Sequence, residues 1–135
     1  MSRKIFITLP VKDLARARAF YAALGFSFNE QFSDASTAAC VVMSEDIHVM
    51  LLTHAKFKEF APKAITDTTQ SNEALFTLSC DSREAVDATV QKGLAAGGTT
   101  FEEPTDLGFM YGSSIIDPDG HGWQFMWMNP APGQK

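Results

Sequence analysis

Positive charge is what this chain most conspicuously lacks: eleven Lys and Arg stand against sixteen Asp and Glu, a net charge of −5 over 135 residues. A nucleic-acid backbone or an anionic membrane surface calls for a basic face, and with none visible in the sequence both are set aside as partners. Long apolar runs are missing too. Met1-Ser2-Arg3-Lys4 passes straight into a short strand pattern, without the uninterrupted apolar segment of a secretory leader or a membrane span. A cytoplasmic protein is the expectation. Cysteine is scarce, and Cys40 and Cys80 lie in apolar surroundings without Cys-x-x-Cys or Cys/His spacing, which predicts two buried, reduced thiols. The three histidines fall at a strand start (His48), in a loop (His54) and in a turn (His121), a poor basis for a shared metal site. No nucleophile–base pair, glycine-rich phosphate loop or nucleotide fingerprint is found.

What the chain does have is aromatic bulk and a repeat. Hydrophobic residues make up 45% and charged ones 20%, ordinary for one globular domain, but eleven Phe and two Trp exceed what two short helices need for packing on a sheet. The surplus can line a cavity. Lys4 to Leu9 alternates as a strand that Pro10 is expected to end, and Asp13 caps a helix whose Leu14, Ala17, Phe20/Tyr21 and Leu24 keep helical spacing up to Gly25. Strand patterns follow at 26–31, 38–43 and 47–53. Residues 55–72 form a polar connector with a short possible helix around 56–60. The plan then recurs: strand 75–80, cap candidates Asp81 and Ser82, helix 83–96 with Val86, Val90 and Leu94 in register, Gly97-Gly98, and strands at 99–102, 110–116 and 123–128. Each half alone has a marginal core. The expectation is therefore one α+β domain over 2–130, built from two paired βαβββ modules, about 3–54 and 73–129, whose sheets curve around a central cavity.

The most informative stretch is Ser114 to Met128. Asp117-Pro118-Asp119-Gly120 is a dense turn signal in which Pro118 presets φ, Asp117 caps with its carboxylate and Gly120 supplies a positive φ, so the two apolar arms form a hairpin. On the second arm Trp123, Phe125 and Trp127 share one face, and Gln124, Met126 and Met128 the other. Gln124 is the one polar residue there. A buried amide without partners costs about 1–3 kcal/mol, which makes Gln124 either a tie within the fold or a group presented to a ligand. Parity places Phe6, Thr8, Leu51, Leu75, Thr77, Gln124 and Met126 on the concave side, and with Phe109 and Tyr111 they are expected to form an aromatic-lined pocket. His48 is then assigned to the helix side, His121 to solvent, Asp117 and Asp119 to turn capping, and Glu102 and Glu103 to a solvated strand end.

Leu9-Pro10-Val11-Lys12-Asp13-Leu14, followed by Ala19-Phe20-Tyr21-Ala22-Ala23-Leu24-Gly25-Phe26, and Asp117-Pro118-Asp119-Gly120-His121 before the last strand, resemble the vicinal oxygen chelate superfamily. This superfamily includes glyoxalase I, extradiol dioxygenases and bleomycin-resistance proteins. The resemblance spans nearly the whole chain and implies paired βαβββ modules, often dimeric. Family enzymes hold a divalent metal through four side chains, commonly His or Gln, Glu, His and Glu. Counting from the motifs places Phe6, Leu51, Leu75 and Gln124 at those positions. Phenylalanine and leucine cannot coordinate, and a lone amide oxygen is a weak ligand for a transition metal, so no metal cofactor is expected. Two functions stay open. One is a homodimer that binds or sequesters a small hydrophobic or aromatic molecule. The other is a glyoxalase-type lyase or dioxygenase with noncognate ligands. No catalytic residue is assigned.

Overall fold

The structure is a computed structural model that describes residues 3–100 and 102–129. The chain divides into two compact units, with the boundary between Asp67 and Thr68 inside the expected connector.

The first unit runs β1 (Ile5–Val11), α1 (Leu14–Ala23), β2 (Ser27–Phe28), β3 (Ala38–Val42), β4 (Ile47–Thr53) and α2 (His54–Lys58). Its sheet has the order β1-β4-β3-β2, with β1 parallel to β4 and the other pairs antiparallel. Pro10 does not end β1. As an edge strand of this sheet β1 tolerates a residue that cannot donate, and it continues to Val11. Asp13 caps α1 by accepting from the Arg16 amide, and Gly25 follows with φ 102°. The expected strand over 26–31 is cut to Ser27–Phe28, because the Asn29 side chain accepts from the Gln31 amide and starts a 3-10 turn over Glu30–Phe32. Leu14, Ala17, Phe20 and Tyr21 of α1 are buried along with Leu9, Val11, Ala39, Val41, Val49 and Leu51 of the sheet.

The second unit repeats the plan as β5 (Leu75–Ser79), α3 (Arg83–Ala95), β6 (Thr105–Asp106), β7 (Met110–Ile116) and β8 (Gly122–Met128), in the order β5-β8-β7-β6. Ser82, rather than Asp81, caps α3 through the Ala85 amide. The expected strand over 99–102 is reduced to a bridge between Thr99 and Ile116, with Phe101 outside the described residues. Pairing moves instead to Thr105–Asp106, between the strands expected at 99–102 and 110–116. There Arg83 holds the chain, bonding the Asp106 carboxylate at 2.8 Å and the Gly108 carbonyl at 2.9 Å. The β7–β8 hairpin forms as expected: Asp117 Oδ1 accepts from the amides of Asp119 and His121, and Gly120 has φ 91°. A Cβ on Gly120 would stand 2.7 Å from Thr68 Oγ1, so the glycine is required by contact as well as by conformation. Trp123, Phe125 and Ile115 are buried on the side of α3, with Val86 and Val90.

Among the described residues no helix is long and apolar enough to cross a membrane.

Candidate functional site

Each sheet has one face under its helix and one face turned away from it. In the first unit the register pairs Phe6 with His48, Thr8 with Met50, and Leu52 with both Pro10 and Ala38, so these residues share the face away from α1. A cavity of about 600 Å³ opens on it, bounded by Thr8, Ala38, Met50 and Leu52 from the sheet and by Lys56, Phe57, Phe60, Ala61 and Pro62 from α2 and the chain after it. Thr53 positions this cover, since its hydroxyl accepts from the Lys56 amide and starts α2 immediately after β4. Lys56 Nζ stands 5.6 Å from the Phe60 ring centroid and 3.3 Å from Glu59 Oε1. The volume lies within the range of small-molecule sites, and the lining is nearly all apolar, with one hydroxyl and one ammonium.

Two expectations for this unit are corrected by the register. Leu51 does not line the cavity: it is fully buried on the face toward α1, beside Leu9 and Ala39, and its neighbours Met50 and Leu52 line the cavity instead. β4 is apolar on both faces, which removes the alternation that would have fixed its parity. For the same reason His48 is on the cavity face, not the helix face. It is 8% exposed, its ring stacks on Phe6 at 4.6 Å between centroids, and its Nδ1 has no hydrogen-bond partner among the described residues. Phe6 itself is 48% exposed and borders His48 rather than the cavity. Of the residues expected at a pocket, Thr8 alone lines this cavity.

In the second unit the face away from α3 carries a smaller cavity of about 350 Å³, whose lining includes Thr77, Glu102, Thr105, Met110, Gly112, Gln124 and Met126. Thr77, Gln124 and Met126 were expected there. The Thr77 hydroxyl donates to Gln124 Oε1 at 3.1 Å across the parallel β5–β8 pair. With one lone pair of Oε1 engaged, Gln124 can offer a ligand its amide NH₂ and the second lone pair of Oε1. Tyr111 is a correction: its hydroxyl donates to Asp87 of α3 at 2.6 Å and its ring receives the Arg83 guanidinium at 5.2 Å, so it belongs to the helix side. The Asp87 bond, then burial, push the phenol's pKa up. Phe109 and Leu75 are 57% and 56% exposed and do not border the cavity. His121 is not solvated. It is buried, with Nδ1 2.6 Å from Glu73 Oε1, because the turn folds back against the segment carrying Thr68 and Glu73. Burial raises the thiol pKa of Cys40; at Cys80 burial, then the Asp81 charge, do the same, so both are held as poorly nucleophilic thiols.

The motif-counted metal positions can be tested on donor chemistry. Phe6 and Leu75 offer hydrocarbon, Gln124 a lone amide oxygen, a weak ligand for a transition metal, and Leu51 points to the core. Replacing Leu51 by Met50, its cavity-facing neighbour, supplies only a thioether, suited to soft ions. No three of His, Cys, Asp and Glu stand together among the described residues. These residues do not fit the family's metal.

Comparison with known proteins agrees with this architecture. The family model of the Glyoxalase/Bleomycin resistance protein/Dioxygenase superfamily matches residues 5–125, and the chain belongs to that family. Among solved structures, hypothetical protein SA1046 from S. aureus superposes with a TM-score of 0.78 at 29% identity, covering 94% of both chains. A glyoxalase-related enzyme from Fulvimarina pelagi gives 0.77 at 16% identity over 100% of this chain and 96% of that one. A glyoxalase/bleomycin resistance protein/dioxygenase family enzyme from Burkholderia phytofirmans PsJN gives 0.76 at 18% over 94% and 99%. A comparison with curated proteins found no match.

Proposed function

We propose that this protein binds a small apolar or aromatic molecule and does so without the divalent metal of its family. The observation that carries the reading is the 600 Å³ cavity of the first unit, whose walls are Met50, Leu52, Phe57, Phe60 and Pro62. A preformed apolar hollow of that size suits a ligand of one or two fused rings. The donor chemistry at Phe6, Leu75, Gln124 and Met50 supports the metal-free part. A metal-dependent lyase or dioxygenase is the competing reading.

Titration with 2-methylnaphthalene, followed by its fluorescence, tests the proposal. Saturable binding is expected before and after chelator treatment alike, and Phe57→Ala or Met50→Asp should weaken it at least tenfold. Absence of saturable binding overturns the ligand reading. A stoichiometric transition metal in protein purified without chelator, lost on Gln124→Ala, overturns the metal-free reading. We take the working form to be a cytoplasmic homodimer; sedimentation equilibrium at micromolar concentration should give about twice the 14.8 kDa chain mass.

A further inference from the structure

We infer that His48 is the polar recognition group of the first unit's cavity, and that its ligand is an aromatic molecule carrying one hydrogen-bonding head such as a phenol or a carboxylic acid. The inference rests on the ligand-binding reading above and narrows it to a substrate class.

Three observations meet at this residue. His48 lies one step along the same strand face from Met50, which lines the cavity, and across from Phe6, whose neighbour Thr8 on that face lines it too. The imidazole is more than nine-tenths buried, so its polar atoms lie where water is scarce. Stacking on Phe6 at 4.6 Å and 14° between planes fixes the ring, yet Nδ1 has no hydrogen-bond partner among the described residues. Buried polar atoms are almost always paired, and one left without a partner in a fixed ring, one strand step from the Met50 wall of a ligand-sized hollow, is what a recognition group looks like before its ligand arrives. Neutral imidazole can donate or accept at Nδ1, which admits a hydroxyl or a carboxyl head. The aromatic body then rests among Met50, Leu52, Phe57 and Phe60. A purely structural role gives the polar ring no advantage: a phenylalanine at 48 would stack on Phe6 as well and leave nothing unpaired.

The test uses two probes of one shape, 2-naphthol and 2-methylnaphthalene, on the full chain. The wild-type protein is expected to bind 2-naphthol about tenfold more tightly, the worth of one good hydrogen bond. His48→Phe should abolish that preference and leave 2-methylnaphthalene binding within twofold. In wild-type protein labelled with ¹⁵N-histidine, 2-naphthol should shift the His48 Nδ1 resonance and 2-methylnaphthalene should not, a readout that does not depend on the variant folding. Equal affinities for the two probes in wild type, a preference that survives in His48→Phe, or an Nδ1 resonance unmoved by 2-naphthol overturns the role of His48. If neither probe binds, the ligand-binding reading itself fails, which is a separate outcome.

Discussion

The two units share a plan and differ in what they do with the face turned away from the helix. On the helix side both are apolar: Val41, Val49 and Leu51 lie toward α1 in the first, and Phe125, Ile115 and Trp123 toward α3 in the second. On the other side the first unit presents Met50 and Leu52, and β4 runs at once into α2, whose Phe57 helps enclose them. The second presents Thr77, Gln124, Thr105 and Glu102, which water can satisfy without a cover. Burial of the helix side is what makes either half fold, so a repeat must keep it; the opposite face is released from that demand and can diverge toward a ligand. The turns differ in the same spirit. Ser44–Asp46 joins β3 to β4 at the surface, whereas Asp117–His121 is pinned by Thr68 and Glu73.

The sharpest way to break this comparison is within β4, where adjacent residues are assigned opposite duties. Leu51→Ala removes a fully buried side chain from the core and should destabilise the protein by about 3 kcal/mol. Met50→Ala, at the cavity wall, should cost about 1 kcal/mol and instead weaken 2-methylnaphthalene binding. Urea denaturation of both variants decides the matter. A larger loss for Met50→Ala would mean that the faces of β4 are reversed and that the cavity belongs to Leu51.

That pair of residues also marks where the sequence was legible and where it was not. Helices were readable because caps and spacing agree: Asp13 to Gly25, and Ser82 to Gly97. β8 was readable because Gln124 breaks an otherwise apolar run and declares its parity, which gave Thr77 and Met126 as its companions. β4 offered no such marker, since Val49, Met50, Leu51 and Leu52 are interchangeable to a pattern, and His48 went to the wrong face with them. The cover over the cavity was hidden for another reason. Phe57 and Phe60 sit in a polar connector, and what gives them a role is the cap at Thr53, the last residue of β4, which starts α2 over the cavity. Tyr111 was misplaced because its partner, Asp87, is 24 residues away on a helix.

A milder challenge concerns the tie in the second unit. Thr77 is exposed and Gln124 partly so, so loss of their bond can be made up by water, and a double-mutant cycle of Thr77→Val and Gln124→Leu should give a coupling below about 1 kcal/mol. Gln124→Leu should also leave 2-methylnaphthalene binding unchanged, because that ligand is assigned to the first unit. Weaker binding in the variant would move the site to the second unit's cavity.

The smallest effect expected is electrostatic, and it too sets one unit beside the other. Asp34, in the loop before β3, accepts from the Thr37 hydroxyl and from the amides of Thr37 and Ser36, and the Thr37 hydroxyl bond, the largest influence, together with the amide bonds holds its carboxyl far below the ordinary 3.8. Asp106, on β6, is lowered as well, first by its bond to Arg83 and then by the Gly108 amide. A carboxylate whose folded pKa is depressed gives stability that is complete above its unfolded pKa and fades as pH falls toward the folded one. Both contributions should therefore be whole at neutral pH and shrink below about pH 4. Both groups are exposed, so solvent screens the gain, and Asp34→Asn and Asp106→Asn should each lower the urea midpoint only slightly at pH 7, with the difference closing on acidification. Carboxyl ¹³C titration reads the cause directly: Asp34 and Asp106 should both titrate below 3.8. An ordinary titration at Asp34 would show that its loop does not hold these bonds in solution, and with them would go the local reason for the chain to enter β3 at Ala38.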